Sequence, residues 1–207
     1  MVNSPQLAER VAASLGRLLT ATLQHAKNLR EAKGAESKGP LVTAGGRGRN
    51  APTMSRMDAA TLICALLGSD AVQDSVKTVE SMRKLEASFQ GRRGSRHYRP
   101  QGVIDLGIRH EHNVIEALSF VLGVFDRERE LLDRLDLYDS ELYAVFEVEY
   151  PEHFASLTVG VRKRFSETWT YGRRSHGRNE QLRRCRQDAL REIAEALRPV
   201  AESSKPK

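Results

Sequence analysis

Residues 4–34 read SPQLAERVAASLGRLLTATLQHAKNLREAKG, and the folding of this stretch decides the N-terminal half of the protein. Ser4 before Pro5 predicts a helix start, because a serine oxygen accepts an orphan amide and proline has no amide to leave unpaired. Leu7, Val11 and Leu15, with Ala8 and Ala12 between them, then form an apolar stripe at helical spacing. Gly16 interrupts it. A second stripe follows with Leu19, Leu23, Ala26 and Leu29 or Arg30, and Lys33-Gly34 supplies a C-terminal stop. Two short helices joined at a glycine are what a helix-turn-helix needs, since the first packs on the second and angles it outwards. On this reading the second helix exposes Thr20, Gln24, His25, Lys27, Asn28 and Arg30. Gln and Asn pair bidentately with adenine, Arg with guanine, and Thr meets a thymine methyl, so the face is a candidate reading head for DNA. The competing reading is a helical hairpin whose polar face is merely solvated.

The segment resembles the winged helix-turn-helix domains of bacterial and phage regulators, over about a quarter of the chain. Leu15-Gly16, Thr22-Leu23 and Leu29-Arg30-Glu31-Ala32 carry the resemblance, with Gly45-Gly46-Arg47-Gly48-Arg49-Asn50 where a wing tip would lie. The run from Gly45 to Ala60 also looks like phage or prophage proteins of alphaproteobacteria. The resemblance implies that residues 18–33 enter the major groove and that Leu41-Val42-Thr43 forms the wing strand. Arg47 and Arg49 then reach phosphate or a narrow A·T minor groove.

At 207 residues the chain can bury a real core in one or two domains. No apolar run approaches the roughly 18 residues that span a bilayer, and no basic region followed by an apolar block marks a leader, so a cytoplasmic, non-membrane protein is expected. Two cysteines, Cys64 and Cys185, make no disulfide framework. The net charge of +6 matters less than its distribution. Residues 162–186 hold nine Lys or Arg against two acids, a balance of +7, whereas residues 126–152 hold ten acids against three arginines, a balance of −7. This division suits a polarised surface facing nucleic acid, or two segments that pack on each other or mediate self-association.

Beyond the N-terminal stretch, Ser55 followed by Asp58 resembles a capping box and opens a core helix with Ala59, Leu62, Ile63, Leu66 and Leu67, ended by Gly68. Another helix from Ser69 or Asp70 carries Val72, Val76, Val79, Met82 and Leu85. Residues 90–100 form an Arg/Gly loop in which Arg92, Arg93 and Arg96 match phosphate and Tyr98 can stack on a base. Val114, Ala117, Leu118, Val121, Leu122 and Phe125 predict a buried helix, followed by a charged one over 127–135. Alternation from Leu142 to Glu149 predicts a strand, Pro151-Glu152-His153 a turn, and 154–161 a returning strand, with 165–171 as a further arm. Gly172 to Arg178 is a second Gly/Arg loop, where Arg173, Arg174 and Arg178 sit near Trp169 and Tyr171 as a second candidate nucleic-acid surface. A final helix is expected over 179–197, with Arg183, Arg184 and Arg186 in its first half.

Enzyme chemistry finds little support. There is no GxxxxGK[ST] phosphate loop, GxSxG elbow or HExxH pair, and His110-Glu111-His112 places two imidazoles on different helix faces. No catalytic residue, cofactor or metal is expected. The sequence therefore predicts a mostly helical α+β protein of two parts, 1–90 as a winged-helix-like DNA-binding domain with following helices and 101–200 as an α+β domain with a β-hairpin, suited to self-association. The expected function is sequence-specific binding of double-stranded DNA as a transcriptional regulator of phage or prophage type, acting as a homodimer or higher homo-oligomer. The alternatives are a small-terminase-like DNA-packaging component and an interaction or inhibitor module that uses the acidic 126–152 segment.

Overall fold

The computed structural model describes residues 2–32, 40–44, 51–89, 112–150, 154–162, 164–174 and 181–198. Helix α1 (Ser4–Leu15) begins one residue earlier than the Ser-Pro signal implies, because Asn3 and not Ser4 is the cap. Its Oδ1 accepts the Gln6 amide at 3.1 Å, and Gln6 Oε1 accepts the Asn3 amide at 3.0 Å. Gly16 ends the helix in the left-handed region at φ 60°, a conformation that a side chain there would strain, and α2 (Leu19–Arg30) follows.

The predicted capping box opens α3 (Arg56–Gly68), with Ser55 Oγ accepting the Asp58 amide and Asp58 Oδ2 accepting the Ser55 amide. Eleven of its thirteen residues are buried, so it is the central helix of the core. The helix expected from Ser69 to Leu85 is shorter. A 3-10 turn (Val72–Asp74) leads into α4 (Ser75–Arg83), after which the chain turns into a strand, β1 (Ala87–Phe89). Gly68 lets α4 approach closely, since a Cβ there would lie 2.7 Å from Thr78 Cγ2 and 2.4 Å from Met82 Cε.

The buried helix predicted after residue 113 is α5 (Val114–Asp126), capped by Asn113 and Glu116, and the charged one is α6 (Glu128–Arg134). Then come β2 (Leu142–Tyr150), β3 (Phe154–Val161), β4 (Phe165–Tyr171), β5 (Gln181–Arg186) and α7 (Gln187–Ala196). The strands form one antiparallel sheet in the order β1-β4-β3-β2-β5, larger than the expected hairpin. The expected helix over 179–197 is corrected in its first half: residues 181–186 pair as β5 with β2, placing Arg184 opposite Glu147. Local helix propensity loses there to a free sheet edge and an opposite-charge cross-strand pair.

Helices α3, α5 and α7 pack on the sheet, and α1 and α2 pack on other helices. Leu142, Ala144, Phe146 and Val148 of β2 share one face with Ala155, Leu157, Val159 and Val161 of β3 and with Trp169 and Tyr171 of β4. Residues 1–90 and 101–200, expected as two parts, contribute to one continuous hydrophobic cluster in which α1 packs on α7 and α3 on α5. One core-facing residue does not fit it. Glu167 lies opposite Val159, is buried, and neither carboxylate oxygen has a hydrogen-bond partner among the described residues. Burial raises its pKa above the ordinary carboxyl value. At the class level the chain is an α+β protein.

Candidate nucleic-acid interface

Helix α2 is seated by a stripe other than the one hydrophobicity alone predicts. Thr22, His25, Ala26 and Leu29 are buried, at spacings of three and four, whereas Leu19 and Leu23 face outwards. Thr22 is buried without cost to its hydroxyl, which donates to the Leu18 carbonyl at 3.0 Å. His25 lies 2.7 Å from Ser75 Oγ, and Ser75 in turn donates to the Val72 carbonyl. That chain assigns the imidazole proton to Nδ1, which donates to the serine. Burial lowers the His25 pKa, and the nearby Arg17 cation lowers it further.

Asn28 is also an anchor. Its Nδ2 donates to the Val72 carbonyl at 2.9 Å, and its Oδ1 accepts from Gln24 Nε2 at 3.0 Å. His25 and Asn28 are thus removed from the set of outward-facing readers, because both fasten α2 to the turn before α4. Arg30 is half-buried, with a guanidinium nitrogen 3.7 Å from Glu31. What α2 presents is Thr20, Gln24 and Lys27 together with Leu19 and Leu23, and Leu18 before it is 78% exposed. Arg17 stands beside them in the turn, also exposed. Among the described residues, Leu41-Val42-Thr43 is not a strand. The segment is held irregularly by Leu41 N–H on the Leu29 carbonyl, by Thr43 on the Asp58 carboxylate and by Arg83 on the Leu41 carbonyl.

In the second proposed surface, Trp169, Tyr171 and Arg174 are engaged inside the fold. Trp169 and Tyr171 point into the core rather than towards a base, and Tyr171 Oη lies 2.8 Å from His112 Nε2. His112 also meets the Trp169 ring edge-on at 5.8 Å. Arg174 grips the buried Glu149 through Nε at 2.7 Å and 3.0 Å and lies over the Phe154 ring. Arg184 binds Glu147, and Arg162 pairs with Glu141 at 3.4 Å. Arg183 turns inward to the carbonyls of Leu67 and Ser69 and to the Asp70 carboxylate, closing the C-terminal end of α3. Arg162–Glu141, Arg174–Glu149 and Arg184–Glu147 therefore join the +7 segment to the −7 segment by ion pairs. Arg173 is exposed and has no ion-pair partner among the described residues. The expected contacts at Arg47, Arg49, Arg92, Arg93, Arg96 and Arg178 lie outside the described residues.

No known family, curated protein or solved structure matches this chain. Among the described residues no helix is long and apolar enough to cross a membrane, and no three His, Cys, Asp or Glu side chains are grouped to hold a metal ion. Cys64 and Cys185 are free and buried, with burial pushing the Cys185 thiol up to about 12 and the Cys64 thiol up as well. Sequence reasoning missed the outward Leu19 and Leu23 and the turn residue Arg17. The signal was present: Thr22, His25, Ala26 and Leu29 are spaced i, i+3, i+4 and i+7, and the adjacent pair Leu18-Leu19 cannot both lie on one narrow stripe.

Proposed function

We propose that this chain binds double-stranded DNA and acts as a sequence-specific regulator, presenting α2 to the major groove. The observation that carries the reading is the division of α2 into an anchored side and an open side. Thr22, His25, Ala26, Asn28 and Leu29 hold the helix, and Thr20, Gln24 and Lys27 stand in solvent with Arg17 at the turn. A reading helix needs this combination of rigid seating and uncommitted polar groups. Among the described residues no side chain caps the α2 N-terminus, which suits its first amides to a phosphate oxygen. A homodimer binding two half-sites fits a regulator of this size.

The test is selection from a random duplex library by the purified protein at two salt concentrations. Enrichment of a short site supports the regulator, and a palindrome supports the dimer. Binding without enrichment favours a packaging role. Replacing Arg17 and Lys27 with alanine should weaken all duplexes alike and flatten the salt dependence by roughly 0.9 for each cation that meets phosphate. No binding at low salt rejects the DNA reading.

One observation favours a second reading. Leu18, Leu19 and Leu23 form an exposed apolar patch at the start of α2, which suits a protein contact. A partner bound there would be lost on Leu18→Ser with Leu23→Ser, while DNA affinity on random sequence would be unchanged. An inhibitor role through the acidic 126–152 segment has less support, because Asp126, Glu128, Glu141, Glu147 and Glu149 already hold arginines of the same chain.

A further inference from the structure

Resting on the DNA reading above, we propose that α2 is built to recognise an A·T pair, with Gln24 as the specificity-determining residue and Asn28 as its positioning residue. A carboxamide offers two N–H donors and one acceptor oxygen. Asn28 has its oxygen occupied by Gln24 and its amine engaged by the Val72 carbonyl. Those two bonds fix which way round the Asn28 amide lies, and therefore which group of Gln24 it holds. Gln24 gives one N–H to Asn28 and keeps one N–H and its Oε1 for solvent. One donor beside one acceptor is the complement of adenine in the major groove, which presents the N7 acceptor beside the N6 donor. Guanine presents two acceptors there, so its O6 would face Gln24 Oε1 without a proton between them.

The neighbouring column of the helix supplies the other half of the pair. Leu19 and Leu23 lie four residues apart and are 43% and 37% exposed, beside the Thr20–Gln24 column. Two leucines left in water on an otherwise polar face are explained by an apolar group that covers them. The thymine C5 methyl is the one apolar group that the major groove offers. Gln24 on adenine with Leu23 on a thymine methyl of the same or the adjoining pair accounts for both columns at once. Asn28 acts through Gln24 and touches no base.

The experiment uses the full chain and the duplex enriched from the random library, resynthesised with single-atom changes. Replacing one adenine by 7-deazaadenine removes the N7 acceptor, and replacing one thymine by deoxyuridine removes the methyl. The expected result is about a tenfold loss of affinity for the first and a severalfold loss for the second. Gln24→Ala, at an exposed position whose helix content circular dichroism can verify, should no longer distinguish adenine from 7-deazaadenine. Leu23→Ala should no longer distinguish thymine from uracil. Asn28→Ala should narrow the adenine to 7-deazaadenine ratio, and Asn28→Asp, which keeps the oxygen that accepts from Gln24, should restore it. Duplex binding whose base preference survives Gln24→Ala overturns the inference and leaves the regulator standing, whereas binding with no preference at all overturns the inference and the sequence-specific regulator and leaves only DNA binding. Absence of duplex binding overturns both.

Discussion

Helix α2 and the sheet region around β2 and β5 are both rich in polar and cationic side chains, and they use them in opposite ways. In the sheet, Arg174, Arg183 and Arg184 each end on an acceptor of the same chain, with Glu149, Asp70 and Glu147 as partners. On α2 the polar groups divide by side, so that His25 and Asn28 are consumed as anchors while Gln24, Thr20 and Lys27 stay open. The difference teaches that a count of basic residues measures what a segment carries and not what it offers to a partner. A guanidinium already forked onto a buried carboxylate has given up most of its attraction for phosphate.

The comparison can be broken most forcefully at Arg183. Arg183→Ala removes two carbonyl contacts at the end of α3 and the Asp70 pair, and it should cost about 3 kcal/mol of stability in chemical denaturation. A loss under about 0.5 kcal/mol would mean that the inward arginine is not structural. The next largest effect separates neighbours. Arg174→Ala strands the buried Glu149 and should cost about 2 kcal/mol, whereas the adjacent, exposed Arg173→Ala should change stability by less than about 0.5 kcal/mol. Equal effects would erase the distinction between committed and free cations.

The smallest expected effect has the opposite sign. Glu167 faces the core with no hydrogen-bond partner among the described residues, so Glu167→Gln should stabilise the protein at neutral pH by about 1 kcal/mol. Its folded pKa is raised, which means that the folded state holds the proton more tightly than the unfolded chain does. Stability from this group is therefore fully present below the ordinary value of 4.5 and is lost as pH rises through the raised folded value. Unfolding midpoints across that pH range should converge for the two proteins at the acid end and diverge towards neutral. Parallel curves would show that the carboxylate is solvated or paired.

Periodicity located most of the elements. The strands at 142–150, 154–161 and 165–171 were legible because β-formers alternate there with the pleat, and α3 and α5 because their apolar residues fill whole helix turns. The capping box at Ser55 and Asp58 was legible because its chemistry is local. Strand β5 was not, since Arg183 and Arg184 suit a helix end as well as a strand, and pairing with β2 decides between them. The N-terminal helix pair was legible as two helices, but its facing was misassigned. Leucine was ranked above threonine and histidine for burial, although Thr22 and His25 enter the interior once Leu18 and Ser75 satisfy their polar atoms.

By itself the sequence determined the α+β class, the capping box at Ser55 and Asp58, the three central strands and the presence of two oppositely charged segments. These follow from forces that act within a few residues: hydrogen bonds at helix ends, backbone preferences and side-chain period. Only the tertiary structure decided which side of α2 faces water, which arginines remain free and that Asn28 holds Gln24 rather than a base. Each of those depends on a partner distant in the chain, such as Val72 for Asn28, Asp70 for Arg183 and Glu149 for Arg174. A side chain with two possible partners takes the one that the packed core has already fixed in place, because ordering that pair costs little further entropy.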